Sequence, residues 1–299
     1  MFFHHSDLAY KVRVDNPNPM YARMLQQAIG GPEGELRVMS QYLFQGFNAR
    51  GPARYRDMLL STGTEEIGHI EVLATAVCMN LEGAKSELVD QVATNPMIAA
   101  RMGGIDPRHF LSTGGGATPA DANGVPFTTG YVDAGGNLRA DMRANVAAEA
   151  IGRTLATRLY EATDDPGMKD MWRFLIARDT MHQQQWLAVL EELEDPANAP
   201  GDFENEGEFG QIAYGFFNHA DVAPPPDAAW TSGPSLDGKG EFHVVDPRDH
   251  SAPRPELMDA PHDMHRGPEA TMAAQTDGDG GNGGSSPGML AQLREMLKA

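Results

Sequence analysis

The chain has 299 residues, 41% of them hydrophobic, and a formal net charge of −19. That composition suits a folded globular protein with an ample core, and the acidic balance excludes nucleic acid as a partner, because phosphate binding needs a basic surface. A single cysteine, Cys78, excludes an internal disulfide and any cysteine-rich zinc or iron–sulfur site. It sits mid-helix among apolar residues, so a buried, inert thiol is expected. No apolar run is long enough to span a membrane. The start, Met1-Phe2-Phe3-His4-His5, has no basic segment followed by an apolar one, so the cytoplasm is the expected compartment.

Residues 1–18 read as irregular, ending in the turn-rich Asn16-Pro17-Asn18-Pro19. Met20 to Ile29 makes a short amphipathic helix stopped by Gly30-Gly31. A longer helix is predicted over 32–49, with Glu35, Met39, Tyr42 and Gly46 on one stripe. The next covers 52–80, with Pro52 in its first turn. It carries Thr64-Glu65-Glu66-Ile67-Gly68-His69, in which Glu66 and His69 stand three residues apart. At about 100° per residue they share one helix face, so a carboxylate and an imidazole can reach one metal ion. Met58, Thr62, Leu73 and Val77 lie on the same face, which marks it as interior.

Between 82 and 137 the periodicity dissolves, apart from short helical pieces expected near Lys85–Val92 and Pro96–Met102. The glycines of Ser112–Gly116 lack the Lys and the strand-to-helix context of a phosphate loop. So long a connection inside a compact domain is usually functional or used in assembly. Helical periodicity returns at Asn137, a good N-cap, for a helix over 137–163. Its face Asp141, Asn145, Ala148, Glu149, Gly152, Ala156, Leu159 sets a carboxylate between very small neighbours, which leaves room beside it. Asp164 or Asp165 then caps a helix over 166–194 whose inward row is Leu175, Asp179, His182, Trp186, Val189. Asp179 and His182 repeat the carboxylate–imidazole spacing.

Two halves therefore match, each a helix with one carboxylate (Glu35, Glu149) followed by a helix with a carboxylate three residues before a histidine (Glu66 and His69, Asp179 and His182). One long crossover joins them. This is the pattern of dinuclear iron and manganese sites in ferritin-like bundles, so the expected fold is an all-α, ferritin-like four-helix bundle over 1–201. Inward carboxylates clustered without metal would repel one another and pay desolvation. His4, His5, His109, His219, His243 and His250 lie in irregular stretches and are expected to be solvated, as are His262 and His265 in the tail. Residues 202–299 read as a Pro/Gly/Asp-rich extension, extended and mostly irregular, either disordered or wrapped on neighbouring subunits. Within it Phe209–Phe217 is predicted as one last short helix and Met289–Lys298 as an amphipathic piece.

The blocks Val38–Asn48, Tyr55–His69, Leu159–Pro166 and Phe174–Gln183 resemble the manganese catalases over roughly residues 1–220. The resemblance implies disproportionation of hydrogen peroxide to water and oxygen by two manganese ions per subunit, cycling between Mn(II)2 and Mn(III)2, with no haem. It implies that Glu35 and His69 bind one manganese, that Glu149 and His182 bind the other, and that Glu66 bridges the pair. Asp179 takes the place of an outer carboxylate that handles protons, and Tyr42 is expected to hydrogen-bond near the cluster. Some family members bind calcium through an Asp near the position of Asp57 and a second Asp four residues on; Ser61 stands there, which argues against a calcium site. The family forms hexamers, so a homohexamer is implied. The alternatives from other classes are a di-iron ferroxidase or oxygenase, and a structural metal-binding assembly protein. Ligand types alone do not separate manganese from iron.

Overall fold

A computed structural model describes residues 5–82, 106–194, 208–250 and 252–256. The chain divides into two compact units, Met1–Asp202 and Phe203–Ala299. The helical pieces expected near Lys85–Val92 and Pro96–Met102, the pair His262 and His265, and the segment Met289–Lys298 lie outside the described residues.

The first unit is built on helices α1 (Pro19–Gly30), α2 (Glu35–Asn48), α3 (Ala53–Glu82), α5 (Leu138–Glu161) and α6 (Pro166–Glu192), with a short α4 (Pro107–Leu111) in the crossover. Helix α2 packs on α3 and α5 on α6, the two pairs face each other, and α1 lies against α3. Among the described residues no helix is long and apolar enough to cross a membrane.

Caps fix where these helices begin. Asn18 accepts hydrogen bonds from the Met20 and Tyr21 amides, and Asn137 accepts one from Ala140. Asp165 does more. One carboxylate oxygen accepts from Met168 N at 2.9 Å, while the other takes the Asp15 and Asn16 amides at 2.8 and 2.6 Å. The same side chain thus starts α6 and ties down the N-terminal segment; a cap of this kind is worth about 1 kcal/mol before the extra bonds. Helix α2 begins three residues later than its apolar pattern predicts. Gly34 is extended (φ −90°, ψ 171°) and stands as its N-cap, so Pro32 and Glu33 belong to the turn. Pro52 precedes the first residue of α3, and its carbonyl accepts from Tyr55 N. The last two bundle helices end at Glu161 and Glu192, a residue or two short of their predicted limits.

Two apolar clusters make the core. One joins Tyr21, Leu25, Val72, Leu73, Trp172 and Leu175; the other joins Val38, Tyr42, Leu59, Met142, Trp186 and Val189. Each fully buried large side chain contributes about 1.5–3 kcal/mol. Tyr21 is satisfied on both sides, donating to the Leu159 carbonyl and accepting from Trp172 Nε1, each at 2.7 Å. A buried amide network of Gln41, Gln45 and Asn145 holds α2 to α5 and grips the crossover backbone at Asp133. Cys78 is half-buried rather than enclosed.

Within the second unit one predicted element differs from expectation. Phe209–Phe217 is not one helix: α7 spans Glu208–Ile212, and Gly215–Phe217 forms strand β1. Strand β3 (Glu241–Val245) lies between β1, which is parallel to it, and β2 (Gly233–Pro234), which is antiparallel. Phe216 meets Trp230 edge-on at 4.7 Å. The apolar spacing of Phe209–Phe217 fits either period; pairing with a strand some thirty residues away decides it.

A second correction concerns His109, expected in solvent and found with no exposed surface. Asp106 caps α4 and turns the ring onto α1, where Nε2 lies 3.3 Å from Gln26 Oε1. The same glutamine accepts from Thr118 N and donates to the Thr118 and Ala120 carbonyls. Burial lowers the affinity of His109 for a proton from its ordinary value of 6.5; Asp106 opposes this, and Arg108 and Arg23 add to it. The unfolded chain therefore takes up a proton that the folded chain refuses. This contribution to stability is complete above pH 6.5 and declines as the pH falls through that value. Denaturant titrations at fixed metal content, from pH 7.5 to 5, should show His109→Gln with a shallower acid loss than wild type. The difference should not exceed about 1.4 kcal/mol per pH unit, and identical slopes would remove His109 from the acid response.

Candidate metal centre

Helices α2, α3, α5 and α6 each bring polar side chains to one level of the bundle. On α3, Glu66 and His69 lie between Leu59 of one apolar cluster and Val72 and Leu73 of the other; on α6, Asp179 and His182 lie between Leu175 and Trp186. The polar cluster thus occupies the junction of the two cores. Glu66, His69, Glu149, Asp179 and His182 are all buried, and the Glu35 side chain keeps only 12% of its surface.

Glu66 is at the centre. Its Oε2 lies 2.6 Å from His69 Nδ1 and its Oε1 lies 3.0 Å from His182 Nδ1, so each carboxylate oxygen faces a different histidine. Glu35 Oε2 is 3.9 Å from His69 Nδ1, and Glu149 Oε1 is 3.6 Å from His182 Nδ1. Two triplets result, Glu35–Glu66–His69 and Glu66–Glu149–His182, each with donor atoms within 4.8 Å of one another. Asp179 belongs to neither triplet.

Despite these approaches, Glu66 Oε2 and the ring nitrogens of His69 and His182 have no hydrogen-bond partner of acceptable geometry. Buried polar atoms left this way are costly, and buried charges are normally paired or bound to metal. Three carboxylates and two imidazoles are the hard oxygen and nitrogen donors that suit manganese or iron. The site fits a pair of divalent cations on its orphaned atoms and on its donor chemistry alike.

The electrostatics of the cluster agree. Burial first, then the negative charges of Glu66 and Asp179, raises Glu35 well above its ordinary range. Asp179 rises to about 8, chiefly by burial and then through Glu149 and Glu66. Glu149 is also raised by burial. Burial would raise Glu66 too, but the two histidines outweigh it and bring it to about 2. Burial pulls His182 down, and its carboxylate neighbours overcome this, pushing it up to about 12; His69 shifts the same way.

Two further residues orient this set. Tyr42 Oη donates to Glu149 Oε1 at 2.5 Å, and its ring lies 4.9 Å from that of Trp186. Glu65, which the helix-face reading passed over, sits behind both histidines. Its oxygens lie 3.6 Å from His69 Nε2 and 3.2 Å from His182 Nε2, and Arg178 grips the same carboxylate with two donors. Burial would raise Glu65, but His182, His69 and then Arg178 outweigh it and hold the group well below the ordinary carboxylate range. A ligating histidine is commonly oriented by a carboxylate at its other nitrogen, and one carboxylate here faces both rings. The spacing of Glu65 four residues before His69 is the signal that could have found it.

Beside Glu35, Glu149 and Asp179 lies a cavity with about 20 Å³ of room for the centres of water-sized molecules, with Glu33 and Gly152 also in its wall.

The family model for manganese-containing catalases matches residues 1–279. The manganese catalase of Bacillus subtilis strain 168 is 41% identical over 267 residues, covering 89% of this chain and 97% of that protein. The uncharacterized protein YjqC of the same organism is 44% identical over 269 residues, with the same two coverages of 89% and 97%. The crystal structure of a manganese catalase from Anabaena superposes with a TM-score of 0.64 at 25% identity, covering 82% of this chain and 99% of that one. It shares the ferritin-like helical fold. This chain belongs to the manganese-containing catalases, and it is an oxidoreductase that disproportionates hydrogen peroxide to water and oxygen with manganese.

Proposed function

We propose that each chain holds two manganese ions, one by Glu35 and His69 and the other by Glu149 and His182, with Glu66 bridging them. The observation that carries this reading is the placement of the two Glu66 oxygens, one against each histidine. When bound, the pair supplies a two-electron change between Mn(II)2 and Mn(III)2, so that one peroxide is reduced to water and a second is oxidised to oxygen. The family match favours this over a ferroxidase, an oxygenase or a structural assembly protein.

The remaining residues divide the work around the ions. Glu65 lies 3.6 and 3.2 Å from the Nε2 atoms of His69 and His182, and its negative charge there favours the tautomer that leaves each Nδ1 lone pair directed at the site. Tyr42 fixes Glu149 through its hydroxyl. Asp179, raised to about 8 and within the same cavity, gives or takes a proton at its carboxylate as peroxide reacts. The apolar clusters on either side exclude bulk water and larger reductants. A homohexamer, which rests on the resemblance, and a cytoplasmic setting complete the proposal; sedimentation of the purified protein checks the first.

Purified protein with quantified manganese should release oxygen rapidly and continuously from hydrogen peroxide near two manganese per chain. Negligible release from that form, beside an active iron-loaded form, would overturn the manganese assignment. Glu66→Gln should lose most of its manganese by elemental analysis, because a carboxamide cannot bridge two cations as a carboxylate does; full metal content in that variant contradicts the bridge. Asp179→Asn should keep two manganese ions while kcat falls by roughly 10²–10⁴-fold, the span of general acid–base contributions. Loss of metal in it would make Asp179 a ligand instead.

A further inference from the structure

Helix α5 carries a glycine that its own backbone does not require. Gly152 lies in the middle of the helix, one turn after Glu149, with no positive φ angle. A Cβ built there would meet only the Glu33 carbonyl oxygen, at an ordinary 3.6 Å. Glycine is the costliest residue short of proline in a helix interior, and alanine would fit. Something other than packing keeps the position bare.

The cavity supplies the reason. It runs from half-buried Glu33 and Gly152 to the buried Glu149 and Asp179, with Glu35 also in its wall. Its room of about 20 Å³ for water-sized centres is enough for one water, which needs about 10–15 Å³, and for little more. A methyl group is close to a water molecule in size, so a side chain on Gly152 would consume much of that room. The wall also has a sign. Of its carboxylates Glu33 alone lies outside the metal cluster and its proton-handling Asp179, and none of the lining residues is cationic. Glu33 is bonded there by the neutral amide of Gln27 at 2.9 Å. A narrow, anionic mouth admits a small neutral molecule and repels anions of the same size.

We propose that this cavity is the entrance for peroxide, with Gly152 setting its bore and Glu33 at its mouth setting its selectivity for a neutral substrate over anions. The proposal rests on the metal site described above, so its test needs a readout that does not depend on turnover. Azide is a suitable probe: it is small, anionic and binds manganese, and its association can be followed by the absorption of the manganese-loaded protein.

Gly152→Leu should slow azide association and lower kcat/KM for hydrogen peroxide together, each by about tenfold, at wild-type manganese content. Glu33→Gln should speed azide association roughly tenfold at low salt and less at high salt, and so raise azide binding relative to peroxide turnover. Gly152→Ala should raise the unfolding temperature by about 2–4 °C while slowing azide more mildly, since it gains helix propensity and loses bore. If leucine disturbs Glu149 and manganese is lost, the alanine variant carries the steric test. Wild-type azide rates in both Gly152 variants would overturn the entrance, and an unchanged rate in Glu33→Gln would overturn its selectivity. Because azide reports access to the loaded metal whether or not peroxide turns over, failure of the entrance is distinct from failure of the catalase reading.

Discussion

The structure depends on holding Glu66 ionised with 1% of its surface exposed, between two imidazoles that give it no well-formed hydrogen bond. A helix bundle solves its folding problem by filling its interior with apolar side chains. Here the interior is broken at one level on four helices, and the break divides the core into two clusters. Removing one partner of a buried ion pair typically costs several kcal/mol because the other is left uncompensated. Four buried carboxylates, Glu35, Glu66, Glu149 and Asp179, would be balanced in charge by the two divalent cations proposed for the site. The arrangement of caps, amide networks and apolar clusters around that level serves to place those four groups.

Protons compete with cations for the same groups. Both histidines are pushed upward and so hold protons, while Glu35, Glu149 and Asp179 are raised toward their neutral forms. Ligation requires neutral imidazole and ionised carboxylate, so each ion that enters must expel protons from the groups it meets. Glu65 is held ionised by His182 and His69 and then by Arg178, which grips it with two donors. It is therefore a fixed negative charge against which both rings can keep one orientation as the inner nitrogens change state.

Much of this was legible in the sequence. The interior faces of α3 and α6 repeat one spacing, and Asn18, Asn137 and Asp165 announce their helices by residue type. A ligand set distributed at three- and four-residue intervals is written in local order, which is what helical periodicity reads well. Glu65 was not legible by that rule because it lies off the inward stripe and acts through the far side of the rings. His109 was hidden for a different reason: its burial is decided by the docking of the crossover onto Gln26 of α1, 83 residues away. Strand β1 pairs with β3 some thirty residues on, and two or three residues give too short a pattern to outweigh a helical reading.

The glycines make the same distinction in miniature. A Cβ on Gly30 would lie 2.5 Å from the Ala120 backbone carbon, so the close approach of α1 and the crossover explains that residue completely. Backbone against backbone cannot give way, and no further role need be sought. Gly152 has no such neighbour and pays the entropic cost of glycine inside a helix without a steric return. The sequence writes both with the same letter. Only the surroundings separate a glycine that lets two segments touch from one that leaves a space, and the space at Gly152 lies one helical turn from a carboxylate of the metal cluster. A stable bundle on its own would favour alanine at that position; a bundle that must admit a two-oxygen substrate to its core has reason to leave it empty.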